Sequence, residues 1–399
     1  MQTSLPIHGE IAARPDAPKP RLALARKGFR PFFFLAAAHA CAIVPLWILV
    51  LRGVVHPGTY LDVVSWHAHE MVLGFAVAVI AGFLLTAVGN WTQRETLVGA
   101  PLLALAALWL GGRVAMLVPD VLPRAVVAAV DLAFLPALIV VLARPLAAAK
   151  NRRNFIMLGI LAALFAANAA VHLHALGVLG VGSARGACLS ALDVVVVIVS
   201  IIAGRVFPMF TRNATGIASI RSRPALDVLT LGGLIVLTAV GVWERDGKVA
   251  STVAVVVGVL AIARAAGWGA RHALRIPLLW ILHAGYAWIP VGLLLRPIAG
   301  SAATHALTVG AIGSLTLGMM ARVALGHTGR PLVAPRLVSF GFGAMTLAAF
   351  ARVVVPLLAP ALYFPSLVAA AALWAAAFLA YLVAYTPILL AARVDGKPG

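Results

Sequence analysis

Trp66-His67-Ala68-His69-Glu70-Met71 stands at the head of a run, Val72 to Val88, that contains no charged residue. Burying so many polar groups beside so apolar a run needs a compensating interaction. Side chains two apart on a regular helix point about 200° apart, so His67 and His69 face opposite flanks and serve two sites rather than one. The plainer alternative is an interfacial helix start, with Trp66 in the headgroup belt and both histidines wetted by water.

The rest of the chain argues for a membrane protein built from such runs. Its 399 residues are 63% hydrophobic and only 11% charged, with a mean hydropathy of +1.03; soluble domains carry about 25% charged residues. Apolar stretches long enough to cross a bilayer fall at 29–51, 62–88, 98–118, 123–143, 155–179, 186–210, 226–243, 249–267, 276–296, 302–325, 337–358 and 363–392. The expected fold is therefore all-α and polytopic, with twelve transmembrane helices in one domain, 28–392. Residues 1–27 read as a disordered tail, Pro-rich, basic and without a signal-peptide core, and 393–399 as a second short tail.

A net charge of +19 would suggest nucleic acid as a partner in a soluble protein, but here it follows topology. With the N-terminus inside, 23 Lys and Arg fall on cytoplasmic segments and 8 on outer ones, the bias expected of a membrane protein with both termini cytoplasmic. The partner implied is the lipid bilayer, not nucleic acid. The two cysteines, Cys41 and Cys188, lie in separate apolar runs and read as small packing residues.

The layout also repeats. Arg30, Arg153 and Arg275 open the first, fifth and ninth helices, and Thr92, Thr211 and Thr328 close the second, sixth and tenth. A period of four helices predicts units 28–150, 151–270 and 271–392 around a pseudo-threefold axis.

Eight histidines lie in or at the ends of five helices. His67, His69, His172, His174 and His305 form an outer layer on the second, fifth and tenth; His39 and His283 lie deeper, and His327 lies at the inner side. Ionisable groups within a bilayer are costly and mark function. Five imidazoles in one layer point to metal or haem ligation. Glu70 is the nearest acid, either a proton donor or a group that orients an imidazole. Asp131 is the one acid of the third and fourth helices, with Arg113 or Arg124 to neutralise it. An inner layer of arginines, Arg30, Arg205 and Arg322 among them, follows from topology but also suits acidic haem side chains. No P-loop, dinucleotide fingerprint or Cys-x-x-Cys-His motif occurs, which excludes nucleotide hydrolysis and covalent haem of that type.

Gly28-Phe29-Arg30-Pro31-Phe32-Phe33, Trp66 to Met71, Ala81 to Thr92, Arg205 to Asn213, His305 to Thr308 and Gly326 to Arg330 together resemble the NnrS family. The family's usual Pro-Asn-Trp-Thr reads Gly89-Asn90-Trp91-Thr92 here. The resemblance implies a twelve-helix bacterial inner-membrane protein containing haem and copper, associated with denitrification and tolerance of nitric oxide. On that basis the expected cofactors are b-type haem and copper, the ligand is nitric oxide, and the leading activity is its reduction to nitrous oxide with electrons from a quinol or other donor. Two further readings stay open: a non-catalytic protein that binds or senses nitric oxide or handles haem or copper, and a small-solute transporter, a class that twelve helices suit.

Overall fold

The computed structural model describes residues 23–397; most of the expected N-terminal tail and the last two residues lie outside the described residues. Twelve helices have the length and apolarity to cross a membrane: α1 (Phe29–Leu51), α2 (Val63–Thr92), α3 (Ala100–Leu117), α4 (Arg124–Ala148), α5 (Arg152–Ala175), α6 (Ser183–Thr215), α7 (Pro224–Trp243), α8 (Lys248–Trp268), α9 (Pro277–Leu295), α10 (Gly300–His327), α11 (Arg336–Leu358) and α12 (Pro360–Leu390). There are no strands among the described residues. The chain is a multi-pass membrane protein. Odd-numbered helices start on what is called here the arginine face, and even-numbered ones start on the opposite, histidine face.

The largest departures from the predicted limits have local causes. α6 runs past Phe210 through the polar Thr211-Arg212-Asn213 and stops only where Gly216 takes a left-handed conformation at φ 72°, which glycine adopts without steric cost. α4 is interrupted at Ala133. Pro136 has no N–H to offer the Leu132 carbonyl, so the ladder breaks there, one residue beyond Asp131.

α2 and α10 are the most enclosed spans, with 89% and 78% of their most apolar windows buried, and α6 follows at 67%. α6 packs on both α2 and α10, while α1 packs on both from another side. Neighbours recur every four helices: α1 on α2, α5 on α6 and α9 on α10; then α4 on α5, α8 on α9 and α12 back on α1. Thr92, Thr211 and Thr328 are all buried, and each donates its hydroxyl to the carbonyl four residues earlier, at 2.7, 2.9 and 2.7 Å. Recurrent neighbours are a weaker property than a pseudo-threefold axis, which stays an expectation.

Two of the central helices share one irregularity. α2 passes through a π-helical segment at Glu70–Ala76 and α10 through another at Ala306–Gly313. Each begins immediately after a histidine, His69 and His305. Such segments widen the helix and leave carbonyls for other donors: His39 Nε2 donates to Glu70 O at 3.2 Å, and Trp109 Nε1 to Gly74 O at 3.2 Å.

Candidate functional site

Asp62 sets the start of α2. Its side chain accepts from the backbone N–H of Val64 and Ser65 at 3.1 and 3.0 Å, an N-cap. Burial works against its ionisation, but the hydrogen bonds from Ser65 and Val64 prevail and hold its carboxyl below the ordinary value. Trp66 is not in an interfacial belt: it is 2% exposed, and its indole donates to Met116 O at 3.1 Å. With the helix thus fixed, His67 and His69 enter different surroundings.

His69 enters a closed polar cluster between α2, α3, α4 and α5. Its Nδ1 lies 3.1 Å from Glu70 Oε1 and its Nε2 3.0 Å from Asn168 Oδ1 and 3.3 Å from Asp131 Oδ2. Arg113 bridges the two acids, donating to Glu70 Oε1 at 2.5 Å and to Asp131 Oδ1. Of the two arginines expected to neutralise Asp131, Arg113 does so; Arg124 instead donates to the carbonyls of Ala175 and Thr59. The close approach requires glycine: a Cβ on Gly74 would stand 2.8 Å from Arg113 Nη1, and one on Gly112 2.7 Å from Asp131 Oδ1.

Asn168 Nδ2 and His172 Nε2 donate to Asp131 Oδ2 at 2.8 and 2.9 Å. The neutral His172 ring then has a bare Nδ1, which accepts from the Tyr60 hydroxyl at 2.7 Å. Burial, with Asp131 nearby, pushes that hydroxyl up to about 12, so it keeps its proton. His39 joins from α1, its Nε2 3.4 Å from Glu70 Oε2. His69, Asp131 and His172 each offer a ligand atom within 4.8 Å of the others. Two imidazoles and a carboxylate suit copper, zinc or ferrous iron.

His67 faces a cavity of about 520 Å³ that opens between α1, α2, α6, α10, α11 and α12, within the size range of cofactor sites. Its ring stacks on Trp47, with centroids 4.3 Å apart and planes at 11°. His305 lines the same cavity. Its Nδ1 lies 2.8 Å from Ser301 O; a carbonyl can only accept, so Nδ1 carries the proton and Nε2 keeps a free lone pair. That is the usual preparation of a ligating histidine. Arg352, Arg185 and Tyr363 also reach the wall, and among the described residues no Asp or Glu does.

The remaining candidates lie apart from both places. His174 is half-buried at the end of α5, its Nδ1 2.8 Å from Gly180 O. His283 meets the Thr211 hydroxyl at 2.9 Å and packs on Phe207. His327 packs on Phe29. On the arginine face, Arg30 donates to the carbonyls of Leu389 and Ala391 at 2.7 Å each, closing the end of α12. Arg205 donates to Asn154 Oδ1 at 2.9 Å, and Arg322 lies 3.9 Å over the Phe210 ring. The five histidines of the expected outer layer thus separate into His69 with His172, His67 with His305, and His174 alone. Asp131, Tyr60, Trp47 and Arg352 join these groups without having been singled out as site residues by the sequence.

A search of curated proteins finds no match. Residues 23–393, nearly the whole chain, match the family model described as NnrS protein, and the chain belongs to the NnrS family.

Proposed function

We propose that this chain is a haem- and copper-dependent membrane protein that reduces nitric oxide to nitrous oxide with electrons from a quinol-type donor. One observation carries the reading: a free His305 Nε2 on the wall of a large cavity that also holds His67 and two arginines. The residues there fit a b-type haem, with imidazole nitrogen for the iron, apolar and aromatic walls for the ring, and guanidinium groups for its acidic edge. His67 and His305 are the residues to hold it. His69, Asp131 and His172 would offer copper two imidazoles and a carboxylate once the imidazole protons now held toward Asn168 and Asp131 are released. When bound, the two metals supply nitric oxide binding and electron transfer.

The chain's own groups then have separate tasks. Ser301 fixes the His305 tautomer, Trp47 sets the plane of His67, and Tyr60 holds His172 with Nε2 toward Asp131. Arg113 bridges two buried carboxylates beside His69. Joining two nitric oxide molecules takes two electrons and two protons and yields nitrous oxide and water. Glu70, which the sequence offers as proton donor, is paired with Arg113 and lies off the cavity wall. It supports turnover by positioning His69 rather than by touching the ligand.

That same placement favours a second reading, in which the cavity binds nitric oxide without turning it over, as a sequestering or sensing protein would. The charge bias supports a reading with the arginine face in the cytoplasm, and the family a bacterial inner membrane. The deciding experiment is anaerobic addition of nitric oxide to reduced, metal-replete protein with a quinol donor. Nitrous oxide in catalytic excess over protein supports reduction. Tight binding with no nitrous oxide moves the conclusion to the second reading, and protein that purifies without haem from a haem-replete host rejects both.

A further inference from the structure

Among the buried guanidinium groups Arg30 is taken by backbone carbonyls and Arg322 lies over the Phe210 ring, while others, with two half-buried ones, are matched by carboxylates. Arg113 holds Glu70 and Asp131, Arg264 holds Asp227, and Arg245 and Arg296 share Asp193. Arg352 on α11 differs. It is 7% exposed, its Nε is buried without a hydrogen-bond partner, and what it meets is the side chain of Tyr363, whose ring lies 5.7 Å away and which offers a hydroxyl rather than a carboxylate. It borders a cavity in whose wall no acid stands among the described residues, where the exposed Arg185 and two histidines are the other basic side chains. A charge buried this way costs several kcal/mol unless an anion meets it.

The four-helix repeat indicates what is missing. His305 stands 236 residues after His69, as Thr328 stands 236 after Thr92, and a π-helical segment follows each histidine. Arg352 stands 239 residues after Arg113, close to the same spacing, and lies like it on the third helix of its expected four-helix unit. Glu70 corresponds to Ala306, and Asp131, at the Arg113 spacing, corresponds to Ala370, which lines the cavity. The arginine is kept and both protein carboxylates are replaced by alanine. In the first unit the polar cluster is closed; in the third its place is open space.

We propose that Arg352 is the carboxylate-recognition residue of this cavity, binding an acidic side chain of the porphyrin where its counterpart Arg113 binds Asp131. The inference rests on the haem reading above. A planar guanidinium suits a carboxylate better than any other side chain does, through paired, charge-assisted hydrogen bonds. It would also select for the orientation of the ring, since only one edge of the porphyrin carries acids.

The test uses full-length, haem-depleted protein in detergent, titrated with haem and with its dimethyl ester, and followed by absorbance. Wild type should bind haem about tenfold or more tightly than the ester, and Arg352→Gln should abolish that preference. Ala370→Asp should abolish it too, because the introduced carboxylate occupies the guanidinium. The readout is the change in preference between proteins, since the ester partitions more strongly into micelles. Equal preference in wild type and Arg352→Gln overturns the assignment while leaving the haem reading intact. Wild type that binds neither porphyrin overturns both. If Arg352→Gln does not fold, wild type binding the two porphyrins alike still refutes the proposal, and a preference that Ala370→Asp abolishes still supports it.

Discussion

Replacing Arg113 with methionine removes the guanidinium that Glu70 and Asp131 share, with little change in apolar volume. At about 4 Å between charge centres, and an effective dielectric of about 20, one such pair is worth about 4 kcal/mol. Breaking a buried pair by removing one partner costs about 3–5 kcal/mol, because the other charge is stranded. Asp131 keeps Asn168 and His172 as donors, whereas Glu70 keeps only His69 and His39 beside it. Glu70 should therefore carry most of the penalty. Arg113→Met is expected to lose about 3–5 kcal/mol, and adding Glu70→Gln should recover about 1–2 of it. The assay is reversible unfolding in mixed micelles, followed by tryptophan fluorescence, on wild type, both single variants and the double. Additivity of the single changes within about 0.5 kcal/mol would show that the residues act independently and refute the network.

Other expectations follow from neighbouring contacts. Asp62→Ala should destabilise by about 1 kcal/mol, the usual worth of an N-cap. Because the folded carboxyl of Asp62 lies below its ordinary value, that contribution is present above the unfolded value of about 3.9 and disappears as pH falls through the folded one; variant and wild type should converge in acid unfolding. His67→Ala should alter the haem spectrum while copper content holds, and His69→Ala should do the reverse; identical losses in both would argue for one site. Under the reductase reading, Glu70→Gln should retain haem, since Glu70 is off the cavity wall, yet form nitrous oxide more slowly in the same anaerobic assay; unchanged turnover would remove Glu70 from the mechanism. Gly112→Ala should behave like a partial Arg113 variant in the unfolding assay, because its methyl group would press on Asp131.

The helices were legible because hydropathy over about 20 residues is a strong, local signal: α1 falls at its predicted limits, and α11 and α7 within two residues of theirs. The opposite facing of His67 and His69 was legible too, from helical spacing alone. What the sequence concealed depends on tertiary contact. Asp131 read as an acid for Arg113 or Arg124 to neutralise, but nothing local reveals that α4 breaks beside it and presents it also to Asn168 and His172. Arg30 read as a ligand for an acidic cofactor edge, but the chain closes on itself so that α12 ends against α1, and the guanidinium is taken by its carbonyls. Arg352 was not singled out at all. Only its distance from Arg113, set against the Thr92 to Thr328 spacing, could have distinguished it.

The π-helical segments have a consequence for how α2 and α10 can vary. Each residue advances an α-helix by about 100°, and a π turn takes up one residue more than the α-helical turns on either side. Removing one residue from 70–76 would let α2 revert to a uniform helix. The part carrying His67 and His69 would then keep its bearing on the part ending in Thr92, whereas the same residues rewound as α-helix without a deletion would turn it by roughly a quarter. Length and angle are one variable at such a place, so the segment works as a swivel set into an otherwise rigid rod. The azimuth of the histidines and the seating of the lower half against α1 and α4 are adjustable independently, and the same holds on α10 for His305.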